Sequence, residues 1–269
     1  MFDTGVVHRK PLKEEVFDVL HGRIIAGQYS AGEWLRQEEI SSQLGVSMTP
    51  VREALDLLVA AGLAERVPYR GVRILEPSSK EILNSYGMRL LLEGAAVYAA
   101  ALNVSPAQVV ELRLLLQKSR PLVKLADMSQ QRVLSRQLHG AIVAASGNTQ
   151  LHRLYITVLN TFPDWMLYEH LFRHPELLDE SMEKEYQEHC EIVEAVAAHQ
   201  PFLAVERATE HLLNRGNELQ AYLGIPRAQI QTVEEQTLPV LMQQVTRTQQ
   251  PNGAEQPERQ HPNPPIQES

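Results

Sequence analysis

The sequence predicts a mainly α protein in two parts: a small N-terminal helical unit closed by a hairpin, then a larger bundle of six helices. Three observations predict it. Between about residues 37 and 60, two short apolar-periodic stretches meet at Gly45, a residue suited to a tight turn between helices. Directly after them, Val67, Val72 and Ile74 flank the turn-forming run Pro68 to Gly71, which reads as a hairpin. From Ser78 to Gly224 no strand pattern survives, and apolar residues recur at helical spacing between identifiable caps.

The first helix spans residues 11 to 26, with Pro11 in its first turn, a stripe of Leu12, Val16, Val19, Leu20 and Ile24, and Gly27 as cap. Two short helices and the hairpin complete a unit over residues 1–76. The bundle occupies residues 78–225. Its first helix opens on a capping box of Ser78 with Glu81 and runs to about Asn103. Ser105 with Pro106 starts the second, and the third covers roughly 129 to 146, stopping at Gly147. Asn148 caps a fourth that Pro163 should kink; a fifth runs from about Asp179 to His199, and Pro201 begins a sixth. Residues 226–269, rich in Gln and Pro and without an aromatic side chain, read as a largely disordered tail. A helix over 229 to 247 is compatible with it, and the part after about Gln249 should be dispensable.

With 269 residues and 43% hydrophobic content, the chain has material for two cores. Its single cysteine, Cys190, rules out an internal disulfide framework. Every long apolar run is interrupted, as Glu93 interrupts LLLEGAAVYAAAL, so no membrane span is expected and a soluble cytoplasmic protein is. A formal charge of -8 argues against histone-like binding of nucleic acid but not against a local reading head.

The densest pattern is QEEISSQLGVSMTPVREALDLLVAAGL. Gly45 suits the turn of a helix-turn-helix, Ser41 is small enough for the helix crossing, and Ile40, Leu44, Val46, Val51 and Ala54 can pack one helix across the other. The hairpin that follows makes a winged version. In that geometry Ser47 caps the recognition helix, and the free amides there can grip phosphate together with Thr49. Arg52, one turn on, is the candidate for a base edge. Arg36 and the wing residue Arg70 are candidates for phosphate contacts, or else solvated surface arginines.

At these residues the chain resembles a family. GQYSAGEWLRQEEISSQLGVSMTPVREALDLLVAAGL, followed by RGVRI, is similar to the winged helix-turn-helix of GntR-type bacterial transcription regulators. The family usually carries an arginine, often a DNA contact, where this chain has Met48. An all-helical second domain of this length resembles the FCD effector domain of the FadR and VanR-like branch over roughly 78 to 223, six helices favouring the VanR-like form. The resemblance implies a homodimer whose two heads read two half-sites of a double-stranded DNA operator under control of a small-molecule effector.

Three histidines fall on apolar helical faces of the bundle: His139 beside Leu138, Ile142 and Val143; His189 beside Ile192 and Val193; and His211 beside Ala208 and Leu212. Imidazoles converging from three helices suit zinc or another divalent transition metal, with positions left for a ligand. Without a metal they would line a polar pocket and meet a ligand directly, protonating near pH 6. The FCD metal pattern places an aspartate four residues before the first histidine, where this chain has Ser135. Glu185, one turn before His189, could substitute for it, and an engineered aspartate at 135 should raise metal affinity. Arg89, among Leu90, Leu91 and Leu92, needs an anion: either Glu93 one turn away, or the carboxylate of an effector as the FCD resemblance implies. Two alternatives share these residues. The metal itself could be the signal, or the bundle could be a metalloenzyme on His139, His189 and His211. The second lacks a general base in a motif such as H-E-x-x-H.

Overall fold

The computed structural model describes residues 10–247. The N-terminal head contains α1 (Leu12–Ile25), β1 (Trp34–Leu35), α2 (Gln37–Leu44), α3 (Met48–Ala60), β2 (Ala64–Val67) and β3 (Gly71–Ile74). Val16, Leu20, Ile24 and Ile25 bury one face of α1, and Gly27, at φ 65, lets the chain turn away. The three strands form an antiparallel sheet in the order β1-β3-β2, with Val67 opposite Gly71 closing the wing. β1 went unseen in the sequence because two residues are too few to show an alternation.

The bundle begins with α4 (Ser79–Asn103) and α5 (Pro106–Ser119), and the capping boxes of Ser78 with Glu81 and Ser105 with Gln108 are both formed. Then come α6 (Met128–Ala145), α7 (Thr149–Thr161), α8 (Asp164–Arg173), α9 (Leu178–Ala197) and α10 (Pro201–Leu223). Asn148 caps α7 by accepting from the amides of Gln150 and Leu151. The all-helical architecture is as expected, but the count is not: Pro163 divides the fourth helix instead of kinking it, making seven helices between residues 79 and 223. A proline excludes the helical backbone from the residue before it, and Phe162 is accordingly extended at φ -83, ψ 120.

The expectation of a largely disordered stretch from residue 226 also changes. The helix compatible with residues 229 to 247 is present as α11 (Arg227–Arg247), and it lies along α4. Gly87 and Gly94 permit the approach, since a Cβ at either would lie under 3.0 Å from Val233 or Leu241. Tyr86 and Arg227 both donate to Glu234, pinning the helix at its first turns. The dispensable segment after Gln249 lies outside the described residues.

The apolar core of the head does not stop at the head. Leu20, Ile24, Leu55, Leu58 and Leu63 share one cluster with Met128, Trp165, Tyr168, Leu171 and Met182 of the bundle. Within the bundle α4 is central, flanked by α6, α7, α9, α10 and α11.

Candidate functional site

Gly45 ends α2 in the left-handed region at φ 65, and Ser41 donates across the turn to the carbonyl of Val46. These two residues set α3 across α2. Val51, Ala54, Leu55 and Leu58 face inward, which leaves Ser47, Met48, Thr49 and Arg52 exposed along the other side. Ser47 stands at the N-cap, but its side chain makes no capping hydrogen bond. The expected side-chain cap is therefore absent, and the amides of Met48 and Thr49 have no carbonyl one turn earlier to bond. Arg36 precedes α2 with its guanidinium 6.0 Å from the Trp34 ring, and Arg70 sits at the wing tip. Among the described residues, Arg36, Arg52 and Arg70 form no ion pair. Tyr69 on the same tip is fully exposed at φ 62, a conformation non-glycine residues seldom hold; no periodicity pointed to it.

Inside the bundle, α6, α9 and α10 bring His139, His189 and His211 together, with ligating nitrogens all within 4.8 Å of one another. All three are buried. Carboxylates orient two of the rings: Glu93 meets His139 Nδ1 at 2.9 Å, and Glu188 meets His211 Nδ1 at 2.7 Å. Such contacts fix the tautomer and turn the opposite Nε2 lone pair toward the cluster. The Nε2 atoms of His139 and His189 lie 3.2 Å apart. Burial, reinforced by the neighbouring His139, pushes the imidazole of His189 down to about 3, and burial holds His211 well below its ordinary value. These two rings therefore stay neutral at pH 6, contrary to the expectation that the cluster protonates there. Three converging imidazoles, two with outer nitrogens oriented by carboxylates, fit a divalent ion.

Beside the histidines lies a cavity of about 30 Å³, bordered by Arg89, Ser135, Tyr168, Glu185 and Arg215. Arg89 is already engaged, with Glu93 at 2.7 Å and the face of Phe162 at 4.7 Å from its guanidinium carbon. Burial would raise the carboxyl of Glu93, but Arg89 and His139 bring it down to about 2, so it is ionised. Arg215 lies 2.8 Å from Glu218, while its Nε donates to nothing among the described residues.

The comparisons with known proteins meet this geometry. Residues 12–74 match the model of bacterial regulatory proteins of the gntR family, and residues 84–214 match the FCD domain. The chain belongs to the GntR family. It is a DNA-binding transcription regulator, not an enzyme. It is 29% identical over 208 residues to the "Probable D-xylose utilization operon transcriptional repressor" of Paenarthrobacter nicotinovorans, an alignment covering 76% of this chain and 87% of that protein. It is also 29% identical over 202 residues to the "HTH-type transcriptional repressor GlaR" of Escherichia coli K12, covering 72% of this chain and 89% of the relative. The solved structure of "E. coli McbR/YncC" shares the fold at a TM-score of 0.60 and 23% identity, covering 80% of this chain and 100% of that one. No helix among the described residues is long and apolar enough to cross a membrane.

In this GntR regulator the residues singled out in the sequence divide into two places. Arg36, Ser47, Thr49, Arg52 and Arg70 lie on exposed parts of the head, and Arg89, Ser135, His139 and His211 border the bundle cavity, with His189 against His139. Four participants were missed. Arg215 stands four residues after His211, a spacing that could have flagged it. Tyr168 and Glu188 gave no signal, because what they face lies on other helices. His21, assigned no role from the sequence, is buried where the head meets the bundle.

Proposed function

We propose that this GntR regulator is a homodimer acting in the cytoplasm, whose FCD domain holds a divalent metal on His139, His189 and His211 and responds to a small carboxylate. The observation that carries this reading is the convergence of three buried histidines, two of them tied to carboxylates. A bound metal with open positions supplies a Lewis-acidic partner for an anion. Arg215, with a free Nε, is the second anion-binding group, and Arg89 reaches the ligand only if its pair with Glu93 rearranges. A cavity of about 30 Å³ holds one water, so an organic acid must open it. Opening alters the spacing of the two heads and hence operator affinity.

On the head, Arg52 reads a base edge, Arg36 and Arg70 hold phosphates, and Ser47 and Thr49 present the start of α3 to the backbone. The dimer uses α5, where Val110 and Leu114, one turn apart, are 67% and 46% exposed.

The small cavity also favours a second reading in which the metal is itself the signal. Metal analysis of tag-free protein, then operator binding with and without Zn²⁺ and a panel of organic acids, separates the two. Release or tightening by metal alone supports the second reading. An acid effect that needs the metal and is lost in Arg215→Ala supports the first, and protein that binds neither metal nor acid refutes both.

A further inference from the structure

Ser135 occupies the cavity wall four residues before His139, and its neutral hydroxyl cannot balance the charge of a cation. What it does instead is hold a carboxylate. Ser135 Oγ donates to Glu185 Oε1 at 3.0 Å, and Tyr168 Oη donates to the same oxygen, also at 3.0 Å. The other oxygen, Oε2, is buried and accepts no hydrogen bond among the described residues. A buried carboxylate oxygen left this way is costly unless something occupies the space beside it. Glu185 is one helical turn before His189, with Oε1 4.0 Å from His189 Nε2.

The cation nearest to Oε2 does not satisfy it. Arg215 Nη1 is 3.9 Å away, beyond hydrogen-bonding reach. That guanidinium is shared, since its Nη2 lies 2.8 Å from Glu218 and 4.0 Å from Glu188. Lys184, half exposed, lies 4.0 Å from Glu188 and forms no other ion pair among the described residues. Three carboxylates thus share one buried guanidinium beside the three imidazoles.

We propose that Glu185 is the acidic donor of the histidine site: its carboxylate turns Oε2 to the metal while Ser135 and Tyr168 hold Oε1, so the carboxylate comes from α9 and residue 135 positions it. This rests on the metal-binding reading above. It also reverses the expectation for an aspartate at 135, which would meet Glu185 Oε1 at hydrogen-bonding distance as a like charge.

The test is calorimetric titration of Zn²⁺ into the full, tag-free chain, with Co²⁺ visible spectra as a second readout and thermal denaturation as a check of folding. Glu185→Gln, nearly isosteric, should weaken Zn²⁺ binding about tenfold to a hundredfold and change the Co²⁺ spectrum. Ser135→Ala should cause a smaller loss. Ser135→Asp should bring no gain in the wild-type chain but restore binding when combined with Glu185→Gln. Unchanged affinity in Glu185→Gln, with binding lost in His189→Ala, overturns this inference and leaves the metal site standing. So does a tenfold gain from Ser135→Asp alone, which remains measurable even if Glu185→Gln fails to fold. A wild-type chain that binds no Zn²⁺ overturns the metal site and this inference together.

Discussion

Single residues on the head divide by what they can touch. Arg52 is exposed on the outer face of α3, where a guanidinium can reach a base edge. Arg52→Ala should cost specific operator binding about 1 to 3 kcal/mol and leave random duplex nearly unaffected. Arg70→Ala should weaken both alike and lower the salt slope by about 1. Titrations at several salt concentrations check the pair, and an equal loss on both duplexes in Arg52→Ala would remove it from base readout. Met48 is exposed at the start of the same helix, so Met48→Arg should tighten binding at low salt. Buried histidines make a second residue-scale prediction. His21 and His189 are each pushed down to about 3, chiefly by burial, and His211 lies well below its ordinary value. A depressed histidine binds fewer protons folded than unfolded. Stability is therefore full above about pH 6.5 and falls as the pH drops below it, by about 1.4 kcal/mol per pH unit for each ring. Glu218 acts the other way: burial raises its carboxyl to about 7, so the stability it contributes in acid is lost as the pH rises through 7. Three histidines outweigh one carboxylate, and denaturant melts of the metal-free chain should show a steep loss between pH 6.5 and 5. A flat profile there would contradict the buried neutral rings.

At the scale of elements, α11 shows how a sparsely apolar helix is recruited. Ile230 and Leu241 are buried and Glu234 joins Tyr86 and Arg227, although the helix as a whole is mostly polar. The small residues Gly87 and Gly94 of α4 let it lie close. Ending the chain at residue 226 should expose the flank of α4 and lower the melting temperature or cause aggregation. Ending it at residue 249 should change neither stability nor operator binding. Melting curves of the two truncations test this, and a stable 226-residue chain would mean that α11 contributes little to the bundle. Pro163 acts at the same scale. By splitting α7 from α8 it places Asp164 at the start of a new helix, where the carboxylate meets Arg132 and Arg136.

For the whole molecule, the joint between head and bundle is polar at its centre. Arg132 is almost fully buried and donates to Asp164 at 2.7 Å and to the carbonyl of Ala61 at 3.1 Å, with His21 Nε2 3.1 Å from its Nη1. Helix α6 thus carries Arg132 at the joint and Ser135 and His139 at the cavity, while Asp164 borders both. Gly62 marks a close approach: at φ 69, a Cβ there would lie 2.4 Å from the carbonyl oxygen of Asn160. Gly62→Ala should undock the head, separating one melting transition into two and exposing the connection to protease. Arg132→Met should cost about 3 to 5 kcal/mol by leaving Asp164 and His21 short of a partner. A single transition at the wild-type temperature in both variants would show that head and bundle are held elsewhere.

The amino-acid sequence by itself determined the elements and the family. Caps, turns and apolar spacing act over three or four residues, so Gly45, the Ser78 box and the stripes of the bundle were legible without coordinates. The three histidines were legible for the same reason, each on its own apolar face. Only the tertiary structure decided what each polar group meets. Ser135 lies 50 residues from Glu185, Arg132 lies 111 from His21, and Tyr86 lies 148 from Glu234. Those pairings depend on the rotation and separation of whole helices, which packing sets and local periodicity does not record. Arg89 shows the limit most plainly: its neighbour Glu93 was visible one turn away, but the burial of that pair against Phe162 and His139 was not.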